Sequence, residues 1–116
     1  MAKERIICKE HLTVVLDFCS RPGLADFRNN LAAHPGPQQI RAFRSRLSER
    51  LERIARMVEI LRLPDEGWVV SGKKNRIILE SDRADFQTVV DRLTQHGFYP
   101  SEYRLLVEYE RKWGML

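Results

Sequence analysis

The feature that most limits how this chain can fold is a run of 26 residues without glycine or proline, residues 38–63, which lies between Pro37 and Pro64. Proline fits the first turn of a helix, and the residue before a proline disfavours helical geometry. The run therefore predicts one helix, about 39 Å long at 1.5 Å per residue. Since a compact domain of 116 residues has a radius of gyration of about 13 Å, this helix is as long as the whole domain.

An apolar stripe about 120° wide runs along the predicted helix. Its members also fit a heptad pattern: they are Ile40, Phe43, Leu47, Leu51, Ile54, Met57, Val58 and Leu61. Arg50 falls inside the stripe, where an unpaired charge is costly, so we expect a carboxylate partner, with Asp17 and Glu10 as the candidates. Either the rest of the chain or a second copy must cover so long a stripe. Because symmetric dimers are the commonest oligomers, the sequence predicts a homodimer with this helix at its interface.

The net charge of +4 is concentrated on the same helix. Residues 40–63 carry seven arginines and three glutamates, whereas the rest of the chain carries thirteen positive and thirteen negative side chains. The arginines flank the apolar stripe, and Glu49 and Glu52 stand four residues before Arg53 and Arg56, the favourable order for ion pairs along a helix. We therefore interpret the arginines as the solvated border of an apolar seam, in preference to a nucleic-acid surface.

Residues 4–19 also lack glycine and proline, and they allow two interpretations. Apolar residues recur at helical spacing and predict a helix, whereas the β-branched run at residues 12–16 is compatible with a strand. We take the helix as the prediction. A turn at residues 20–23 follows, and then a short second helix marked by Leu24 and Leu31.

The second half of the chain has a different pattern. Residues 68–81 alternate around a turn rich in glycine and lysine, which predicts a β-hairpin. Ser81 or Asp82 is positioned to cap a following helix that ends at Gly97. A last strand follows the turn at Pro100, and its alternation predicts one face against the helix and one face in water.

These elements predict an α+β fold in a single domain, residues 1–116. The first part, residues 1–64, is expected to be helical with the long helix at its centre. Residues 65–116 are expected to form a ββαβ unit with a small, mainly antiparallel sheet. No apolar stretch is long enough to span a membrane, and the first residues lack the apolar core of a signal peptide, so we expect a cytoplasmic location.

Motifs that fix a chemistry are missing from the sequence. It has no phosphate loop, zinc-protease motif or nucleophile elbow, so no catalytic residue is predicted. The candidate metal ligands lack the paired spacing of zinc sites, so no metal or cofactor is expected: they are Cys8, His11, Cys19, His34 and His96. On one helix, Cys8 and Cys19 would lie about 16 Å apart, too far for a disulfide.

A set of basic residues supports an alternative function, nucleic-acid binding. It combines the long helix with the tip of the predicted hairpin: Arg41, Arg44, Arg46, Lys73, Lys74 and Arg76. Basic hairpin tips reach phosphate in winged DNA-binding domains, but lysines at an exposed turn also protect a sheet edge. The tip alone therefore does not establish nucleic-acid binding.

Trp113 belongs to a residue type that is enriched at protein interfaces, and we expect it to dock within the protomer or across the dimer. Together with the apolar stripe and Arg50, it completes the predicted interface. The sequence thus predicts a non-enzymatic regulatory module that binds a protein partner. Nucleic-acid binding is the alternative, and a small enzyme with unidentified residues is the third possibility.

Overall fold

The computed structural model describes the backbone of residues 4–19 and 24–115 and the side chains of residues 10–19, 24 and 27–109. Its elements in chain order are β1 (Glu4–Asp17), α1 (Leu24–Ala33), α2 (Pro37–Arg62), β2 (Val69–Lys73), β3 (Arg76–Ser81), α3 (Phe86–Gln95), a 3-10 turn (Pro100–Glu102) and β4 (Arg104–Met115). The four strands form one antiparallel sheet in the order β2-β3-β1-β4. The predicted α+β class is confirmed.

The predicted helix over residues 4–19 is wrong, because this segment forms β1. The strand lies between β3 and β4 and pairs with both. Leu12, Val14 and Leu16 are fully buried on one face, while Val15 on the other face is only 7% exposed. In a central strand, side chains on both faces of the β-branched run are therefore buried. This burial outweighs the helical spacing of the apolar residues. The predicted helical N-terminal half is therefore wrong in its first element and consists of one strand followed by two helices.

The strand order is that of a split β-α-β fold, in which α1 and α2 together form the first crossover. One core joins α2, α3 and one face of the sheet. Its buried members include Leu12, Val14, Leu16, Ile54, Met57, Ile60, Leu61, Leu79, Val89 and Leu93. Tyr103, directly before β4, and Leu105 and Val107 of β4 pack against this core, as the alternation along the last strand predicts. Tyr109, which belongs to the same alternating set, is 67% exposed.

The ends of α3 are held by side-chain and backbone caps. Asp85 caps the N-terminus by accepting a hydrogen bond from the Thr88 N–H at 3.1 Å, so the expectation that Ser81 or Asp82 would cap it is wrong. The Ser81 hydroxyl instead accepts from the backbone of the turn before the helix. Gly97 follows the C-terminus with φ +82°, the left-handed geometry that favours glycine.

The molecule is elongated. Its radius of gyration is 18.8 Å and its extents are 74 × 26 × 20 Å, whereas a compact chain of this length has a radius of about 13 Å. At one end, α1 packs along the first half of α2, and no residue of α2 before Arg50 is buried. At the other end, residues 4–11 of β1 pair with β4 beyond the last pairing of β1 with β3.

Candidate interaction surface

The apolar stripe of α2 divides into a buried and an exposed part. Ile54, Met57 and Leu61 are buried in the core, together with Ile60, which lies outside the predicted stripe. The remaining members are half-buried or exposed: Ile40 is 51% exposed, Leu51 is 40% exposed, and Phe43, Leu47 and Val58 are intermediate. We call the row formed by Ile40, Leu47, Leu51 and Val58 the α2 ridge. It is an apolar strip along a helix whose other side is anchored in the fold.

Helix α1 contacts a different side of α2 from the α2 ridge. The Arg46 guanidinium lies over the Phe27 ring of α1, with its carbon 5.3 Å from the ring centre. At 100° per residue, Arg46 lies about 120° around the helix from Ile40. Helix α1 thus contacts the flank of α2. Ile40 and Leu51 of the α2 ridge are exposed, Leu47 is half-buried, and Val58 also packs partly against the core.

Arg50 fixes the position of α2 against the end of the sheet. Its side chain is 4% exposed, and Nε and Nη2 donate to the Asp17 carbonyl oxygen at 3.1 and 3.0 Å. Nη2 also donates to the Glu102 carbonyl oxygen at 2.6 Å, and Nη1 lies 4.0 Å from the Glu102 carboxylate. Of the two predicted carboxylate partners of Arg50, Asp17 accepts these hydrogen bonds through its main-chain carbonyl oxygen. Glu10 instead accepts from the Phe86 N–H.

The Glu102 carboxylate is buried beside Arg50 and holds the chain between α3 and β4. It accepts hydrogen bonds from Arg53 and, at 2.8 Å, from the Tyr99 N–H. Burial acts to raise the pKa of Glu102, but the hydrogen bonds from Arg53 and Tyr99 prevail, so this pKa is lowered. Arg53 therefore pairs with Glu102, and the predicted partner Glu49 lies 3.5 Å from Arg46.

A cavity of about 370 Å³ opens at this junction. Its charged lining consists of Arg46, Glu49, Arg50, Arg53 and Glu102. Each of these groups already has an opposite charge, a carbonyl or an aromatic ring as a neighbour. The arrangement supports the junction of α2 with the sheet, and its charges serve that structural role.

The six basic residues predicted for nucleic-acid binding divide into separate groups. Lys73, Lys74 and Arg76 are exposed at the hairpin tip, and strand alternation places Lys73 and Arg76 on the sheet face opposite the helices. Arg41 and Arg44 are exposed on α2. Arg46 is stacked on Phe27. The pairing of Arg76 with Asp17, whose carbonyl oxygen accepts from Arg50, places the hairpin tip at the end of the sheet where α2 is anchored.

His11 lies in an acidic setting on the helix-free face of the sheet. Its Nδ1 is 2.5 Å from the Asp82 carboxylate and its Nε2 is 3.4 Å from the Glu80 carboxylate. The hydrogen bond to Asp82 is the main cause that raises the pKa of His11. No cluster of three or more possible metal ligands occurs within the described residues.

Several predicted features have a limited structural description. Cys19 is a free, half-buried thiol, whereas the side chains of Cys8 and Trp113 lie outside the described set. The predicted turn at residues 20–23 also lies outside it. None of the helices in the described ranges has the length and apolar character needed to cross a membrane.

No protein-family model matches the chain, and comparisons with curated proteins and with solved structures find no significant relative. The split β-α-β topology by itself does not assign a function. A function for this chain is therefore inferred from its own surfaces.

Proposed function

We propose that this chain is a non-enzymatic interaction module that forms a homodimer through the α2 ridge and binds a protein partner. The observation that carries the proposal is the partial exposure of this row of apolar side chains, with Ile40 51% and Leu51 40% exposed. Buried contacts from Arg50 onward hold α2 in place. The dimer would cover apolar area that the protomer leaves in water, which stabilises association.

The spacing of the α2 ridge suits a symmetric helix pair. Ile40 and Val58 are equally distant in sequence from position 49, and so are Leu47 and Leu51. In an antiparallel pair with its two-fold axis at that level, Ile40 meets Val58 of the second copy and Leu47 meets Leu51. This is the self-complementary contact that a two-fold dimer requires.

The proposal is tested by Leu51→Glu, which places a charge in the apolar contact near the two-fold axis. Ser45→Glu is the matched control, because Ser45 is exposed on another side of α2 and receives the same charge. We expect Leu51→Glu to elute as a monomer in size-exclusion chromatography with light scattering, and Ser45→Glu to remain dimeric. A dimer that tolerates Leu51→Glu would exclude this interface.

Nucleic-acid binding is the second candidate. It is supported by the exposure of Arg41, Arg44, Lys73, Lys74 and Arg76. A nucleic-acid site would need them to act on one phosphate backbone. The competition experiment below separates the two candidates.

A further inference from the structure

We propose that β2 is the docking site for an acidic, extended segment of the protein partner, which adds to the sheet as a fifth strand. This inference rests on the proposed function as a partner-binding module and specifies the chemistry of the partner. The site is separate from the α2 ridge, so the two can be tested independently.

The first observation is that β2 forms an open edge of the sheet. It is the terminal strand in the order β2-β3-β1-β4, and all five of its residues are exposed. Along its outer side, no further strand is present among the described residues. An edge strand offers unpaired main-chain N–H and C=O groups in alternation, and five residues provide about 17 Å of pairing length.

The second observation is that the two ends of this edge differ in chemistry. Lys73, Lys74, Asn75 and Arg76 surround a cavity of about 400 Å³ at the hairpin tip. At the other end, Val69 is 66% exposed. A matching segment therefore has carboxylates at one end and apolar side chains at the other.

A third feature lies next to the apolar end of β2. Trp68 lines a cavity of about 210 Å³ together with residues 62–67. Its indole Nε1–H is buried without a hydrogen-bond acceptor in the described part of the chain, and an unpaired buried donor is costly.

The direction of the segment follows from strand chemistry. Antiparallel pairs are more stable per residue than parallel ones, so the acidic end at Lys73 is the N-terminal end of the segment. The lysines of the tip also oppose pairing with uncharged strands. They thereby select for an acidic partner and discourage aggregation through the same edge.

The probe is a labelled peptide with several glutamates at its N-terminus followed by alternating valine and threonine, measured by fluorescence anisotropy against the full chain. Three control peptides define the mode of binding. One carries lysine in place of glutamate, one has the reversed sequence, and one is N-methylated at alternate residues so that it cannot pair with an edge strand. We expect binding of the acidic peptide and loss of binding for each control.

Two matched double variants make the same charge change at the hairpin tip and on α2. The first is Lys73→Glu with Lys74→Glu, and the second is Arg41→Glu with Arg44→Glu. We expect the first pair to weaken peptide binding by about tenfold or more and the second to leave it unchanged. Equal binding of the N-methylated peptide, or no effect of the β2 variants, would overturn the inference. So would a DNA strand that displaces the peptide and binds more tightly.

The inference can fail while the proposed function stands. Leu51→Glu should still bind the acidic peptide, because the substitution lies outside β2. A stable dimer that does not bind the peptide would refute only the fifth-strand inference. Peptide binding by a chain that is monomeric at every concentration would refute only the homodimer.

Discussion

Arg50 is the residue on which the position of α2 most directly depends. It lies at an apolar position of the helix, and its guanidinium donates to main-chain oxygens of both Asp17 and Glu102. One side chain thereby joins the end of β1 to the segment before β4. The pKa of Arg50 is lowered by burial, although the nearby charges of Glu102 and Asp17 oppose this effect. The burial of a charge here is offset by the hydrogen bonds that it makes.

Removal of the Arg50 side chain should strongly destabilise the fold. We predict that Arg50→Ala lowers the free energy of unfolding by about 3 kcal/mol, because the carbonyl oxygens of Asp17 and Glu102 lose a buried donor and the Glu102 carboxylate loses a nearby positive charge. Arg56→Ala is the control, since Arg56 is exposed on the same helix, and its effect should be within about 0.5 kcal/mol. Urea unfolding measures both values. Similar losses for the two variants would contradict the role of Arg50.

His11 should make stability depend on pH. Its carboxylate neighbours are Asp82 and Glu80, and Glu108 lies opposite it on β4. Because its folded-state pKa is raised above 6.5, its contribution is complete below that value and is lost as the pH rises through the folded-state pKa. The stability difference between the native chain and His11→Gln should therefore shrink as the pH is raised. An NMR titration that gives His11 a pKa below 6.5 would contradict this prediction.

At the scale of elements, the sequence predicts those parts whose signals are local. Pro37 and Pro64 bracket α2, and glycine at position 97 follows α3. The identity of β1 was not accessible in this way, because the helices that cover it and the strand β3 that pairs with it lie about forty to eighty residues away along the chain. The same applies to Arg50, whose partners include main-chain oxygens that no residue pattern reveals. Ile60 was missed because α3 widens the buried face of α2 beyond the predicted stripe.

The end of α3 offers a test of backbone geometry alone. An added Cβ at Gly97 would meet no atom within 4 Å, but the residue has φ +82°. We predict that Gly97→Ala lowers the free energy of unfolding by about 1 kcal/mol, because L-residues avoid this region. Gly97→Asn should cost less, since asparagine tolerates left-handed geometry. Equal values for the two variants in thermal unfolding would indicate a different cause.

At the scale of the whole molecule, the proposed dimer would account for both the shape and the exposed apolar residues. The chain is 74 Å long, and the first half of α2 extends from the core with α1 packed beside it. A second copy packed along the α2 ridge would cover the exposed side chains near the middle of this helix. The opposite end, where β1 and β4 form a two-stranded ribbon, is not used by this dimer.

The two proposed surfaces lie on separate elements, so the dimer would carry two copies of the β2 edge. A partner with two acidic segments could then engage both edges, and the second contact would be intramolecular. This arrangement would give the proposed homodimer a role beyond covering the α2 ridge. It is consistent with a module that acts by binding.

The most direct test of the central claim is sedimentation equilibrium of the unmodified chain over a range of concentrations. One chain has a mass of 13.7 kDa, and we expect a species of twice this mass that dissociates on dilution or on Leu51→Glu substitution. A mass equal to one chain at every concentration would contradict the homodimer and would leave the α2 ridge without the partner proposed for it.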